Sequence, residues 1–412
     1  WLLFAWGVVA ALSVFNAYIP IRYTWVVGPS FLWSWLVIEL APHQVVWQPL
    51  IAAVFVWFGA LHAWPGWVGL ALIVVCELAV VGLIGGSLRT RRVFDDALRS
   101  GLGDYTAATN PAYISSVRWL AARELFLPWF LRDHHVRATR NIDYGASRGK
   151  RNQLDIYAPR NGATDERRPV LVWIHGGGWT VGEKRSQGLP MMLGLARRGW
   201  VCVAPNYRLS PRATWPDHLV DVKEAIAWVK AHIHEFGGEP SFVVVAGGSA
   251  GGHLAAMVAL TANEAQFQPG FESVDTSVVG CVPFYGVFDF SNRSGQYKSK
   301  QLSLLLQRFV MHVPLDDAHR AVYEEASPIA HVRADAPPFL VIAGTLDSLV
   351  PVADSALFVD ALRAVSEQPV CYAVLPGAQH AFEVFHSIRT AYALEGLEHW
   401  LAWLRTTHAP TP

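Results

Sequence analysis

Residues 1–88 contain three charged side chains, Arg22, Glu39 and Glu77, together with nine of the chain's 18 tryptophans. A segment this long and this poor in charge cannot present a wetted surface. The other 63 of the 66 charges fall in the remaining 324 residues, an ordinary density for a soluble domain. The 16% charged content is therefore an average over two unlike parts. The formal net charge is zero, which gives no basic footprint for nucleic acid and excludes it as a partner.

A bilayer core takes about 20 apolar residues per helical crossing. Residues 1–19, 24–41, 45–62 and 66–88 form four apolar runs, separated by short breakers at 20–23, 42–44 and 64–66. The expectation for 1–88 is an all-α transmembrane bundle of about four helices, with the lipid bilayer as its partner. Trp47, Trp64 and Trp67 sit near the ends of these runs, where indole favours the membrane interface. Arg89, Arg91, Arg92 and Arg99 follow the last run, against Arg22 alone on the opposite side. Positive charge marks the cytoplasmic flank. The expected protein is thus multi-pass in the inner or plasma membrane, with its catalytic part in the cytoplasm. Glu77 lies mid-run, where an acid reads either as a functional residue or as a protonated side chain bonded to a neighbouring helix through His43, His62 or a Trp indole, the second being favoured. Cys76, Cys202, Cys281 and Cys371 each sit in an apolar run and read as free thiols.

Residues 89–140 read as a juxtamembrane connector. Within it, 117–130 mixes aromatic and aliphatic residues with Arg118 and Arg123, the pattern of an interfacial helix or of a lid. Strands and helices alternate over 141–407. Apolar strand-like runs occur at 154–157, 170–174, 200–204, 242–246, 278–285, 339–343 and 370–375. Helical periodicity falls at 217–236, 250–262, 355–365 and 388–404. The implied class is α/β, a mostly parallel doubly wound sheet covered on both faces. Residues 291–333 break the rhythm and read as a helical cap insertion. The tail after His408 reads as disordered.

Gly247-Gly248-Ser249-Ala250-Gly251 follows one apolar run and opens a helical one, the context of a nucleophile elbow. Gly247 and Gly251 are the small neighbours that a tight turn needs. His175-Gly176-Gly177-Gly178-Trp179 follows the run at 170–174. Its consecutive glycines leave backbone N–H groups free for a reacting oxygen, with that of Ala250 as a further donor. A serine nucleophile needs a base, and the base an orienting acid. His380 and Asp347 each lie just past an apolar strand, where open sheets place their sites. Asp354 and His386 are the competing acid and base. His253 reads as a packing residue. His232 and His234 face different ways on one helix, and His134-His135 lack a carboxylate partner at ligand spacing. No metal or nucleotide motif is present.

At these residues the sequence resembles the hormone-sensitive-lipase-like esterases of the α/β-hydrolase fold. The resemblance runs from about residue 154 to 404 and also rests on Tyr207-Arg208-Leu209-Ser210-Pro211, Pro216, Asp221 and Trp228. It implies a Ser249, Asp347 and His380 triad and an oxyanion hole of Gly177, Gly178 and Ala250. It implies an acyl-ester substrate and no cofactor. Two positions depart from the pattern: Gly248 and Asn206 stand where such esterases often carry Asp. Arylformamidase-type and feruloyl-esterase-type relatives share Gly-x-Ser-Ala-Gly-Gly. An acyltransferase or an arylformamidase-like amidase is therefore the alternative on the same triad. The apolar N-terminus resembles membrane-attached esterases of actinobacterial lipid metabolism, which makes a lipidic ester the expected substrate. Oligomeric state is not legible.

Overall fold

The computed structural model describes residues 1–23, 25–145, 149–161, 167–293, 295–297 and 300–408. The tail expected to be disordered after His408 lies outside them.

The strands are β1 (Val136–Asp143), β2 (Gln153–Pro159), β3 (Arg168–Ile174), β4 (Val201–Pro205), β5 (Gly238–Gly248), β6 (Gly280–Phe284), β7 (Phe339–Gly344) and β8 (Val370–Leu375). They form one sheet in the order β1-β2-β4-β3-β5-β6-β7-β8. β1 and β2 run antiparallel, and β4, β3 and β5 to β8 are mutually parallel. Apart from β8 (the run at 370–375), which ends the sheet, the fully apolar runs become inner strands because both of their faces are covered. β1 was missed because its residues are mostly exposed and polar. It starts five residues before the expected change of pattern at 141.

The N-terminal helices are α1 (Leu2–Tyr18), α2 (Val27–Glu39), α3 (Ala41–Trp57) and α4 (Trp64–Leu88), followed by α5 (Thr90–Leu102). Over the sheet lie α6 (Leu189–Arg197), α7 (Asp217–His232), α8 (Ala250–Leu260), α9 (Val352–Val365) and α10 (Ile388–His408). One sheet face packs on α7, α8 and α9 through Leu219, Leu254 and Phe358. The other packs on α5, α6 and α10 through Phe94, Met191 and Trp400. So α5, read as connector, is a covering helix of the sheet. A Cβ on Gly101 would come within 2.5 Å of Cys371 Sγ in β8, and one on Gly396 within 2.4 Å of the Phe94 ring.

The four apolar runs form four helices, which differ in whether each has the length to cross a membrane. Among the described residues, the continuous helical stretch Trp64–Leu102, containing α4, is the one that is long and apolar enough to cross a membrane alone. The 13 residues of α2 extend only about 20 Å at 1.5 Å per residue, short of a hydrocarbon core. α2 and α3 meet at an 88° bend. Residues 42–44, read as a breaker, are instead the first turn of α3, where Pro42 is tolerated. α1 packs closely on α4 because the crossing is glycine on glycine. A Cβ on Gly7 would lie 2.7 Å from Gly69 O. The outer faces stay apolar and exposed, with Trp25 at 93% and Trp57 at 86%.

The expected partners of Glu77 do not reach it: neither carboxylate oxygen has a hydrogen-bond partner among the described residues. All four cysteines are buried and unpaired.

Candidate active site

Ser249 stands between β5 and α8 with φ 58° and ψ −120°, a left-handed conformation costly to a residue with a Cβ. Its N–H donates to Phe284 O at 2.9 Å and its carbonyl accepts from His253 N at 2.9 Å. The flanking glycines are steric necessities. A Cβ on Gly251 would lie 2.0 Å from Ile174 O, and one on Gly247 2.4 Å from Gly251 O.

The glycine loop after β3 lies directly against this turn. A Cβ on Gly176 would come within 2.6 Å of Gly248 O and 3.1 Å of Ser249 Cβ. Gly177 and Gly178 take φ of 117° and 57°. Among the described residues nothing accepts from the Gly177 or Gly178 N–H. Behind the loop, His175 is fully buried, its Nδ1 is 2.8 Å from Gly176 O, and its ring stacks on Tyr207 at 4.4 Å. Burial pushes its pKa down to about 4, so it is a neutral buttress at physiological pH. Tyr207 donates to His175 O at 2.9 Å, and Asp221 fixes Arg208 through paired hydrogen bonds. Asn206 accepts from Lys184 N and donates to Lys150 O, each at 2.7 Å.

Asp347 and His380 are brought together past the ends of β7 and β8. His380 Nδ1 lies 2.7 Å from Asp347 Oδ2, and both side chains are buried. Asp347 Oδ1 also accepts from Leu349 N at 2.9 Å and Val350 N at 2.8 Å, which fixes the carboxylate plane. The Ser249 hydroxyl is half-buried and makes no hydrogen bond among the described residues. Such contacts often tighten only with substrate bound.

The competing residues lie elsewhere. Asp354 lies in α9, accepts from Phe288 N at 2.7 Å and Tyr297 Oη at 2.8 Å, and is pushed up to about 7 by burial. The His386 backbone N–H donates to Pro128 O at 3.0 Å. His253 packs as expected, stacked on Phe290 at 4.4 Å. His134 and His135 do have a carboxylate neighbour: Asp133 brings its oxygen within 4.8 Å of their ring nitrogens. The trio is largely exposed.

Three features of the site escaped sequence reasoning. The first is Tyr285, whose ring centroid is 4.4 Å from that of His380 and whose hydroxyl donates to buried Glu383. It also accounts for Gly248, since a Cβ there would lie 2.8 Å from the Tyr285 hydroxyl oxygen. A side chain as large as Asp has no room. The second is Gln379, which bridges the two loops: its Oε1 accepts from His380 N at 2.9 Å and Ser348 N at 2.8 Å. The third is α2, which packs on the His380 loop. Its only sequence signal was an ionisable residue, Glu39, inside an apolar run.

A serine on a strained strand–helix turn, a glycine loop against it and an Asp–His pair beyond two later strands define an α/β-hydrolase. The chain belongs to the BD-FAE family, whose model matches residues 154–362. It is similar to two Mycobacterium tuberculosis proteins, "Probable carboxylic ester hydrolase LipM" (51% identical, covering 65% of this chain and 61% of that one) and "Esterase LipQ" (44%, covering 65% and 62%). The chain thus spans about six-tenths of the length of these relatives. A propionate-bound thermophilic esterase from Thermogutta terrifontis superposes with a TM-score of 0.54 at 26% identity, covering 68% of this chain and 97% of that one.

Proposed function

We propose that this chain is a serine ester hydrolase that cleaves acyl esters at a bilayer surface. The observation that carries the reading is the buried Asp347–His380 pair, 2.7 Å apart, beyond the same sheet edge as the strained Ser249 turn. His380 Nε2 takes the Ser249 hydroxyl proton as Oγ attacks the ester carbonyl. The N–H groups of Gly177, Gly178 and Ala250 hold the oxyanion; losing one such donor typically costs about 10²–10³ in rate. The protonated His380 then gives its proton to the leaving alkoxide, which leaves an acyl-Ser249 ester. Water, deprotonated by His380, attacks that ester and releases the acid. Asp347 holds the imidazole in the tautomer that keeps Nε2 free to accept.

The lipidic substrate and the anchoring rest on the apolar helices. Exposed faces such as those of Trp25, Trp57 and Phe58 are stable only against lipid or another apolar surface. Residues 1–88 meet the bilayer, with α4 as the crossing helix and the arginines after it on the cytoplasmic side. Fluorophosphonate labelling tests the chemistry. Wild type labels and Ser249→Ala does not; folded wild type that stays unlabelled sinks the reading. A chain-length series of esters then sets the acyl preference.

A further inference from the structure

We propose that α2 of the N-terminal bundle is a wall of the active site, with Ser34 and Trp35 as positioning residues for His380 and Phe31 as a determinant of acyl specificity. The proposal rests on the hydrolase reading above and goes beyond anchoring, which needs none of the contacts that follow.

Ser34 acts through Gln379. Gln379 Nε2 donates to Ser34 Oγ at 2.8 Å, while Ser34 itself donates to Phe31 O at 3.0 Å. The hydroxyl therefore turns a lone pair to Gln379 and fixes which end of the amide faces it. With that orientation Gln379 Oε1 meets the N–H groups of His380 and Ser348, one on the base loop and one on the acid loop. The reverse orientation sets an NH₂ group against two N–H donors. One hydroxyl on α2 thereby sets the spacing of the two loops that hold His380 and Asp347.

Trp35 acts on the residue after the base. Its Nε1 donates to Ala381 O at 2.9 Å. Ala381 has φ 57°, a left-handed conformation that persists only when its surroundings hold it. Arg22, just before α2, donates to Asp347 O at 3.2 Å. Residues of the apolar bundle thus grip both loops.

Phe31 faces the reacting group itself. Its ring lies edge-on to His380 with centroids 6.0 Å apart, and it continues as an aromatic wall through Trp35 at 6.2 Å to Phe385 at 5.0 Å. An apolar chain lying beside the imidazole meets this wall. The bundle then selects the substrate as well as holding the enzyme at the membrane.

The test uses the full chain in detergent micelles, with active sites counted by fluorophosphonate and rates measured on p-nitrophenyl butyrate. Losing one positioning hydrogen bond of ordinary strength is expected to lower kcat about three- to tenfold. Ser34→Ala and Trp35→Phe do this with KM within about twofold, since the substrate keeps its contacts. Trp35→Phe keeps a ring in place and separates loss of the N–H from loss of packing. Ser34→Ala/Gln379→Ala is no slower than Gln379→Ala alone, because the two act in series. Phe31→Ala changes the ratio of kcat/KM for butyrate over octanoate ester about fivefold or more, the scale of one apolar contact. Wild-type kcat per labelled site in both single variants, additivity in the double variant, or an unchanged chain-length ratio overturns the proposal while labelling of wild type keeps the hydrolase reading. Failure of wild type to label overturns both.

Discussion

Arg389 Nε lies 2.8 Å from Glu39 Oε1, and both side chains are completely buried. The pair ties the start of α10 to the end of α2. Ser387 donates to the same carboxylate at 2.7 Å, and Arg389 also donates to Ser87 Oγ at 3.1 Å. One of the three charges of residues 1–88 is thus spent on the seam between bundle and hydrolase. Removing one partner leaves the other buried and uncompensated, at about 3–5 kcal/mol. Glu39→Ala should lower the thermal unfolding midpoint sharply. Glu39→Leu/Arg389→Met should recover part of that loss, because no unpaired charge remains. Equal midpoints for wild type and Glu39→Ala would show the seam to be unimportant.

Asp347→Asn should lower kcat by about 10³–10⁴-fold with little change in folding. The argument is one of donors and acceptors. Asp347 accepts from His380 through Oδ2 and from Leu349 N and Val350 N through Oδ1. Asparagine satisfies only one side. With its oxygen toward the backbone pair, its NH₂ faces Nδ1 and forces the proton onto Nε2, where it blocks the base. The check is kcat on a soluble ester with sites counted by titration; a drop below tenfold would remove Asp347 from the orienting role.

Asp354 predicts a pH dependence of stability with the opposite sign to a salt-bridged carboxylate. Burial raises it to about 7. Between the unfolded carboxyl value near 4 and 7, the folded state binds more protons than the unfolded one. Its protonated form is fully stabilising below that window, and the contribution is lost as pH rises through it, at up to about 1.4 kcal/mol per unit. Glu383, also raised to about 7 by burial, adds in the same direction. Asp354→Asn keeps an acceptor for Phe288 N and Tyr297 Oη without the charge. It should raise the melting temperature at pH 8 more than at pH 5 and leave kcat within about twofold. A pH-independent effect would contradict the assignment.

Glu77 tests whether the odd acid of α4 is functional. Its carboxylate oxygens are buried and have no hydrogen-bond partner among the described residues. A polar group left so costs about 1–3 kcal/mol. Glu77→Leu should therefore raise the unfolding midpoint and leave ester hydrolysis intact. Loss of hydrolysis in a folded variant would give Glu77 a role that its surroundings do not explain.

The sheet was legible because β3 to β8 are buried on both faces and therefore read as unbroken apolar runs between turn signals. The elbow and the glycine loop were legible because steric closeness admits only glycine at Gly176, Gly247 and Gly251. β1, with its exposed polar faces, carries no such pattern. The contacts of the apolar helices were not legible for a related reason: composition records that a helix is apolar, not which apolar surface covers it. α2 is short and lies on the His380 loop, and the hydrogen bonds of Ser34 and Trp35 to that loop have no periodic signature. Gly248 was visible as a departure, but its cause, the Tyr285 hydroxyl, comes from the residue just past β6, 37 positions on, and is evident only in three dimensions.

The connector supplies the last prediction. The short helix Ala122–Phe126 and the residues after it expose Phe126 at 80% and Leu127 at 54% beside Arg118 and Arg123. Exposed apolar side chains flanked by cations are the composition of a segment that lies in a lipid interface. Trp129 in the same segment packs on Phe385 at 5.4 Å, which joins it to the His380 loop. If the segment seats the site on a bilayer, its apolar residues matter only when the substrate is in that bilayer. Phe126→Ser/Leu127→Ser should leave hydrolysis of a soluble butyrate ester within about twofold. It should slow hydrolysis of a long-chain ester embedded in vesicles about tenfold, the scale of one lost apolar insertion. A lid predicts otherwise: both substrates would be affected alike, because a lid covers the site whatever phase delivers the ester.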